Sequence, residues 1–144
     1  MNTLTEIESG ICQGADPGVI IPTHIKVIIN LRDDIINMPL PRYTHAYLWI
    51  PLQDNVFPGI NWLDSLVDFI ISQRKSGLDV LIHCAMGISR SALVCTAVLM
   101  KLHNLPVYKA LQLLRSKRSE IDPAPNYHIA LYTYEKFLLR MTHV

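Results

Sequence analysis

Short apolar runs alternate along this chain with longer stretches in which apolar residues recur every three or four positions. The short runs predict strands at residues 7–13, 25–31, 46–52 and 79–82. The last of these runs is continuously apolar, which is typical of a strand buried on both faces. The segment 32–43, which contains two prolines, predicts a loop or a broken short helix between the second and third strands.

The periodic stretches predict four helices. The first begins at Ile60 and ends at Gly77, and from Ser89 onward the largely apolar run from Ala92 to Met100 is too long for most strands and predicts a buried helix. A third helix begins at Val107 and ends in basic residues near position 118, and Asn126 is expected to cap a fourth that runs to about residue 140.

This alternation of strands and helices predicts an α/β fold with a central mixed, partly parallel sheet of four to five strands flanked by helices. The chain has 144 residues, half of them hydrophobic, and contains no repeat or low-complexity linker. A chain of this length and composition can form one core, so we expect a single domain over residues 1–144.

Charge and cysteine content restrict the partners and the compartment. The net charge of +1 provides no general basic field for nucleic acid or an anionic membrane, so neither is expected as a partner. The three cysteines form no metal-ligand spacing and no disulfide framework, which favours a reducing compartment. With no leader-like N-terminus and no long apolar window, we expect a soluble cytoplasmic protein, also nuclear in a eukaryote.

The segment from His83 to Ser91 carries the candidate chemistry, because it places Cys84, five residues and Arg90 between a strand and a helix. A strand-to-helix turn directs backbone N–H groups and the positive end of the helix dipole into one concavity that suits an anion. A thiol there ionises more readily, Gly87 can adopt positive φ, and Arg90 can hold two phosphoryl oxygens. The segment predicts an anion site with a nucleophile.

A cysteine beside an apolar run is more often an inert buried thiol, but the spacing of Gly87, Arg90 and Ser91 favours the phosphate site. This segment resembles the signature loop of cysteine-dependent protein tyrosine phosphatases in their small dual-specificity form, as the run from Ser89 to Ala92 suggests. Residues 123–127 and 134–135 are similar to a variant of the closing motifs of that family. The resemblance implies a protein tyrosine phosphatase-like fold.

The resemblance also implies roles for individual residues. Cys84 would form a cysteinyl-phosphate, Ser91 would hydrogen-bond its thiolate, and His83 would support the loop. The phosphate would be bound by Ala85, Met86, Gly87, Ile88, Ser89 and Arg90.

The leaving oxygen needs a proton donor. An aspartate in a loop with proline and glycine is often only a solvated turn residue, but the family places its general acid at the position of Asp54. Asp33 and Asp34 are the alternatives, and Phe57 and Ile88 could line the pocket mouth.

The leading hypothesis is a phosphatase, without metal or cofactor, that acts on phosphotyrosine and on phosphoserine or phosphothreonine in proteins. One alternative is a phosphoinositide or RNA 5′-phosphatase, which would require extra positive charge. The loop interior, residues 85–89, carries none. A second alternative is a phospho-residue binding module without turnover. The oligomeric state is not predicted by the sequence.

Overall fold

The computed structural model describes residues 4–17, 20–34 and 40–142, which form five strands and four helices. The strands are β1 (Leu4–Glu8), β2 (Ile11–Gly14), β3 (Ile25–Asn30), β4 (Ala46–Trp49) and β5 (Asp79–His83). The helices are α1 (Ile60–Lys75), α2 (Arg90–His103), α3 (Val107–Lys117) and α4 (Pro125–Thr142).

The five strands form one mixed sheet in the order β1-β2-β5-β3-β4. Only the β1–β2 pair is antiparallel, whereas β2, β5, β3 and β4 run parallel to one another. The predicted α/β fold with a partly parallel sheet is therefore confirmed. The apolar β5 lies at the centre of the sheet, where Val80 and Ile82 pack against the helices and Leu81 packs in a second cluster on the other face with Cys12, Ile21, Ile25 and Ile28.

The predicted single strand over residues 7–13 is wrong, because β1 and β2 are separate strands joined by a tight turn. Gly10 adopts a φ of +76° there, and a Cβ at this position would lie 2.1 Å from Cζ of Arg74. The turn therefore requires glycine for its backbone conformation, and a larger side chain would also displace the guanidinium of Arg74. The apolar residues on either side of Gly10 hide this break in the sequence pattern.

The carboxyl ends of the parallel strands meet at one edge of the sheet. Gly14 of β2 pairs with His83 of β5, His83 pairs with Asn30 of β3, and Asn30 pairs with Trp49 of β4. Ligands bind at this edge in open α/β sheets, because the loops that leave it converge there. The loop that begins at Cys84 starts from the central strand of the row.

Helix α2 passes through the core, and every residue from Ser91 to Met100 is buried. This burial on all sides explains the continuous apolar run, since a helix with no solvent-facing side has no polar stripe. The helix ends at Asn104, whose φ of +52° is the left-handed conformation of a typical helix end. The buried α2 therefore anchors the loop that precedes it.

Two predicted boundaries change. Helix α4 begins at Pro125, a favoured first helical residue, so Asn126 lies inside its first turn and is not the cap. The Asn126 amide nitrogen Nδ2 instead donates to the carbonyl of Asn55 at 2.8 Å. The strand predicted over residues 46–52, which is β4, ends at Trp49. Part of the predicted loop 32–43, residues 35–39, lies outside the described residues.

Candidate active site

Cys84 follows β5 directly and lies at the bottom of a pocket of about 240 Å³. Its side chain is buried, with 2% of the residue exposed. The pocket is lined by Asp54, Cys84, Met86, Ile88, Ser89, Arg90, Asp122 and Ala124. Six of these residues were predicted as site residues, so the structure brings the signature segment and Asp54 to one place.

The carbonyl groups of the loop accept hydrogen bonds from the elements packed around it. The carbonyl of Ala85 accepts from the N–H of Asp16 at 3.1 Å, and that of Ile88 accepts from the N–H of Asp122 at 2.9 Å. The carbonyl of Gly87 accepts from Nε2 of Gln13 at 3.2 Å and from Nε of Arg118 at 3.0 Å. Three loop carbonyls therefore point outward.

The outward carbonyls determine where the loop N–H groups point. The peptide bonds of the described residues are trans, so each N–H points opposite to the carbonyl of the preceding residue. The N–H groups of Met86, Ile88 and Ser89 accordingly point toward the interior of the loop. Several N–H groups converging at a helix N-terminus bind the oxygens of an anion.

Gly87 permits this loop conformation. Its φ is +69°, a region that other residues rarely adopt. A Cβ at this position would lie 2.6 Å from the backbone nitrogen of Ala15 and 2.7 Å from the carbonyl carbon of Gly14. The loop can pack this closely against the end of β2 only because the side chain is absent.

Arg90 is the first residue of α2, and its guanidinium is held at the pocket by two acceptors. Nη1 donates to the carbonyl of Leu52 at 2.9 Å and to Oδ1 of Asp33 at 3.2 Å. The rest of the planar group is available for a bidentate contact with phosphoryl oxygens. Leu52 thus contributes to the site through its backbone, which the sequence did not indicate.

Asp54 lies in the segment between β4 and α1 and is held by Ser89. The Ser89 hydroxyl donates to Oδ1 of Asp54 at 2.7 Å and accepts from the N–H of Ala124 at 2.9 Å. One hydroxyl therefore connects the candidate acid, the signature loop and the segment that precedes α4. The carboxylate is exposed at the pocket, where it could exchange protons with a substrate or with water.

The two alternative acids have other partners. Asp33 contacts the guanidinium of Arg90, and Asp34 accepts hydrogen bonds from Arg32 at 2.7 and 2.9 Å. The hydrogen bond from Arg32 lowers the pKa of the Asp34 carboxyl, which therefore holds a proton less readily than an ordinary aspartate. Neither residue lines the pocket. Among the three candidates, the geometry favours Asp54 as the acid.

Ser91 and His83 lie behind Cys84. The Ser91 hydroxyl oxygen is 3.3 Å from Sγ of Cys84, and the residue is fully buried in the first turn of α2. His83 is also buried, and this burial lowers its pKa, so the ring favours the neutral form. Its Nδ1 lies 3.5 Å from the carbonyl of Cys84. Both positions agree with supporting roles for these residues.

The other two cysteines have thiols that resist ionisation. All three cysteines are free, and burial raises the pKa of Cys12 to about 11 and that of Cys95 well above the ordinary value. A thiol in this state is protonated at neutral pH and is a poor nucleophile. Neither Cys12 nor Cys95 lines the pocket of Cys84.

Besides Leu52, further residues that contact the loop were not found from the sequence. Gln13, Arg118 and Asp122 contact the loop from β2 and from the segment between α3 and α4. The only signal was at Gln13, a polar residue inside an apolar strand that must find a partner when buried. Ile88 lines the pocket as expected, whereas Phe57 packs against the core.

Within residues 4–17, 20–34 and 40–142, no cluster of three or more His, Cys, Asp or Glu side chains could hold a metal ion. No helix in the same ranges has the length and apolar character needed to span a bilayer.

The chain is similar to proteins of one family. The family model for the dual specificity phosphatase catalytic domain matches residues 13–137. Mouse dual specificity protein phosphatase 14 is 35% identical over 121 residues, which is 83% of this chain and 60% of that protein. The chain thus spans about three fifths of the length of this relative.

Solved structures have the same fold. Human DUSP28 superposes with a TM-score of 0.84 and 24% identity, covering 96% of this chain and 99% of that one. The human tyrosine phosphatase-like serine/threonine/tyrosine-interacting protein gives a TM-score of 0.83 and 25% identity, covering 94% and 97%. The family match extends from Gln13, through the signature loop, to Phe137 in α4. The chain therefore belongs to the dual specificity phosphatase catalytic domain family.

Proposed function

We propose that this chain, as a single catalytic domain over residues 1–144, hydrolyses phosphate monoesters on phosphotyrosine and on phosphoserine or phosphothreonine of proteins. The observation that carries the proposal is that Cys84, Arg90 and Asp54 line one pocket. These side chains supply a nucleophile, a bidentate phosphate ligand and a proton donor, which are the groups that this reaction requires.

In the first step, the Cys84 thiolate attacks phosphorus and the bond from phosphorus to the substrate oxygen breaks. Asp54 gives its proton to the departing oxygen, so the product leaves as a neutral hydroxyl group. The guanidinium of Arg90 and the inward N–H groups of Met86, Ile88 and Ser89 bind the nonbridging oxygens as their charge redistributes. A cysteinyl-phosphate remains on the enzyme.

In the second step, water attacks the phosphorus of this intermediate. Asp54, now a carboxylate, takes a proton from that water, and the sulfur–phosphorus bond breaks to release inorganic phosphate. The Ser91 hydroxyl, 3.3 Å from Sγ, donates a hydrogen bond to the sulfur as it becomes a thiolate. The same carboxyl group therefore serves both steps, and its protonation state is restored at the end.

The charge of the pocket supports a protein substrate. The loop interior is uncharged, and the pocket contains two carboxylates, Asp54 and Asp122, beside the single guanidinium of Arg90. A phosphoinositide or an RNA 5′ end carries further phosphates that these carboxylates would repel. A side-chain phosphomonoester presents only one phosphate and matches the single guanidinium.

The alternative of a phospho-residue binding module is the less supported one. The name of the human tyrosine phosphatase-like interacting protein raises this possibility for a domain of the same fold. A module that only binds phosphate has no use for a nucleophile or for a proton donor, whereas here Cys84 and Asp54 line the same pocket.

Three free thiols are also compatible with the expected reducing, cytoplasmic compartment.

Turnover of p-nitrophenyl phosphate tests the proposed activity. We expect a burst of p-nitrophenol followed by steady release, with EDTA having no effect. The Cys84→Ser variant should lose turnover, and the matched variant Cys12→Ser should retain it, because Cys12 lines a different pocket. A wild-type protein that binds phosphopeptides without turnover would contradict the proposed activity and support the binding module.

A further inference from the structure

We propose that Gln13 is a positioning residue that sets the direction of the Ser91 hydroxyl, so that this hydroxyl donates its hydrogen bond to Cys84. The inference rests on the proposed phosphatase function and extends it to a residue on β2. Gln13 is 78 positions from Ser91 in the chain, is fully buried, and lies directly behind the signature loop.

The orientation of the Gln13 amide follows from its partners. One atom of this amide lies 3.2 Å from the carbonyl oxygen of Gly87 and 3.1 Å from the hydroxyl oxygen of Ser91. A backbone carbonyl can only accept a hydrogen bond, so the amide atom that faces it must be the nitrogen. The NH2 group has two hydrogens, and the second is directed to Ser91.

The Gln13 amide in turn determines how the Ser91 hydroxyl can bond. A serine hydroxyl has one hydrogen to donate and two lone pairs that accept. Because Nε2 of Gln13 has no lone pair to offer, Ser91 must accept from it, which leaves the hydroxyl hydrogen for another partner. The sulfur of Cys84, at 3.3 Å, is that partner once it is a thiolate. Gln13 thereby favours the hydroxyl orientation that stabilises negative charge on the sulfur.

One atom of the Gln13 side chain destabilises the folded protein. Its Oε1 atom is buried and has no hydrogen-bond partner within the described residues. An unsatisfied buried oxygen destabilises the folded state, so an apolar side chain of similar shape should be tolerated there. A side chain needed only for folding is not expected to leave a buried oxygen without a partner. A side chain that orients a catalytic group can have this destabilising effect, because function often requires some loss of stability.

Other ionisable groups surround Cys84 and remain the same when Gln13 is replaced. Asp54, Arg90 and Asp122 face the pocket, and His83 and Arg118 lie behind the loop. The Cys95 thiol is buried in α2. Their charges contribute equally to both proteins in a comparison of the wild type with a Gln13 variant.

The test is replacement of Gln13 by methionine, which has a similar shape but no amide. In Gln13→Met we expect breakdown of the cysteinyl-phosphate to slow about threefold to tenfold, measured as a larger burst with slower steady release. Alkylation of Cys84 by iodoacetamide should require higher pH than in the wild type. Thermal stability should be unchanged or higher.

A double-mutant cycle with Ser91→Ala distinguishes orientation from a general structural effect. If Gln13 acts through Ser91, Gln13→Met should have little further effect on either measurement in the Ser91→Ala background. Equal effects in both backgrounds, or no effect in the wild type, would overturn the proposal. Thr96→Val removes another buried hydroxyl of α2, one that bonds the Ala92 carbonyl at 2.6 Å, and should leave the alkylation profile unchanged.

Two controls distinguish a failure of this proposal from a failure of the proposed activity and from a role of Gln13 in folding. Alkylation of Cys84 requires no turnover, so it tests the role of Gln13 even if the wild type proves not to hydrolyse phosphate. Gln13→Leu provides a second apolar variant. Unfolding of both variants would contradict the proposal, because Gln13 would then be required for folding.

Discussion

The hydroxyl of Ser89 donates a hydrogen bond to Oδ1 of Asp54 at 2.7 Å. This contact joins two segments that are 35 positions apart, and it places the candidate acid beside the loop that carries Cys84. Because Ser89 also accepts from the N–H of Ala124, its hydroxyl oxygen is held on two sides. Ser89 therefore positions Asp54 in addition to contributing its backbone to the loop.

Loss of the Asp54 carboxyl should affect substrates according to their leaving groups. We expect Asp54→Ala to reduce kcat on phosphotyrosine peptides by about 100-fold or more, because no group then protonates the leaving oxygen. The reduction should be smaller for p-nitrophenyl phosphate, whose leaving group needs little protonation. Steady-state kinetics on both substrates measures the difference.

Ser89→Ala should also reduce kcat more on phosphotyrosine peptides than on p-nitrophenyl phosphate. The reduction on the peptides should be about threefold to tenfold, because Asp54 remains but is less well oriented. Ser89→Thr, which keeps the hydroxyl, is the matched control and should recover most of the loss. An equal loss on both substrates would show that Ser89 affects the loop and not the acid.

Replacement of Arg90 by lysine should weaken both binding and turnover. Lysine retains the positive charge but cannot hold two phosphoryl oxygens in one plane. In the wild type, Nη1 contacts Leu52 and Asp33 while the rest of the guanidinium faces the phosphate site, whereas a lysine has one nitrogen for all of these partners. We expect kcat/KM for p-nitrophenyl phosphate to fall about 100-fold, with weaker inhibition by inorganic phosphate. Arg115→Lys, at an exposed position of α3, makes the same change outside the site and should have no effect.

Gly87→Ala should distort the signature loop, and Gly77→Ala provides a matched control. Both glycines have positive φ, but a Cβ at Gly77 has no atom within 4 Å, whereas one at Gly87 meets the backbone of Gly14 and Ala15. Both variants should lose about 1 kcal/mol or more from backbone strain. Only Gly87→Ala should also lose phosphate binding, measured by calorimetry. Equal binding by the two variants would contradict the close-approach argument.

Buried His83 should make the protein less stable as the pH falls below about 6.5, the ordinary pKa of histidine. Burial lowers the pKa of His83 in the folded state, so below pH 6.5 the unfolded chain binds a proton that the folded chain does not. This difference favours unfolding by at most about 1.4 kcal/mol per pH unit. Urea unfolding between pH 7.5 and 5.5 should show a smaller slope for His83→Gln than for the wild type. Identical slopes would show that the folded protein does not keep His83 neutral.

Asp122 should help to exclude substrates with several phosphates. Asp122→Lys replaces a negative charge at the pocket by a positive one, so it should raise activity on a soluble phosphoinositide relative to a phosphotyrosine peptide. Glu6→Lys makes the same change of net charge on β1, outside this pocket, and should leave the ratio unchanged. The ratio of kcat/KM values at two salt concentrations measures the effect, which should decrease at high salt. An unchanged ratio in Asp122→Lys would remove Asp122 as a determinant of substrate class.

The sequence pattern was sufficient to predict β5, the loop after it and the buried helix α2. These elements depend on local properties: an apolar run for the strand, a glycine able to adopt positive φ, and a long apolar run for the helix. The spacing of Cys84 and Arg90 then follows from the chain itself, because both lie in one short segment. Burial of α2 on all sides was also evident, since the run contains no polar stripe.

Other features depend on contacts between distant segments, which no local pattern contains. That Asp54 rather than Asp33 lines the Cys84 pocket depends on the packing of the loop after β4 against Ser89. Arg118 had the appearance of an exposed basic residue at a helix end, yet it is 4% exposed and bonds the Gly87 carbonyl. The sequence thus predicts the loop that carries the candidate nucleophile, whereas tertiary packing brings the candidate acid and the groups that hold the loop to it, because a buried polar group is satisfied by whichever element folds against it.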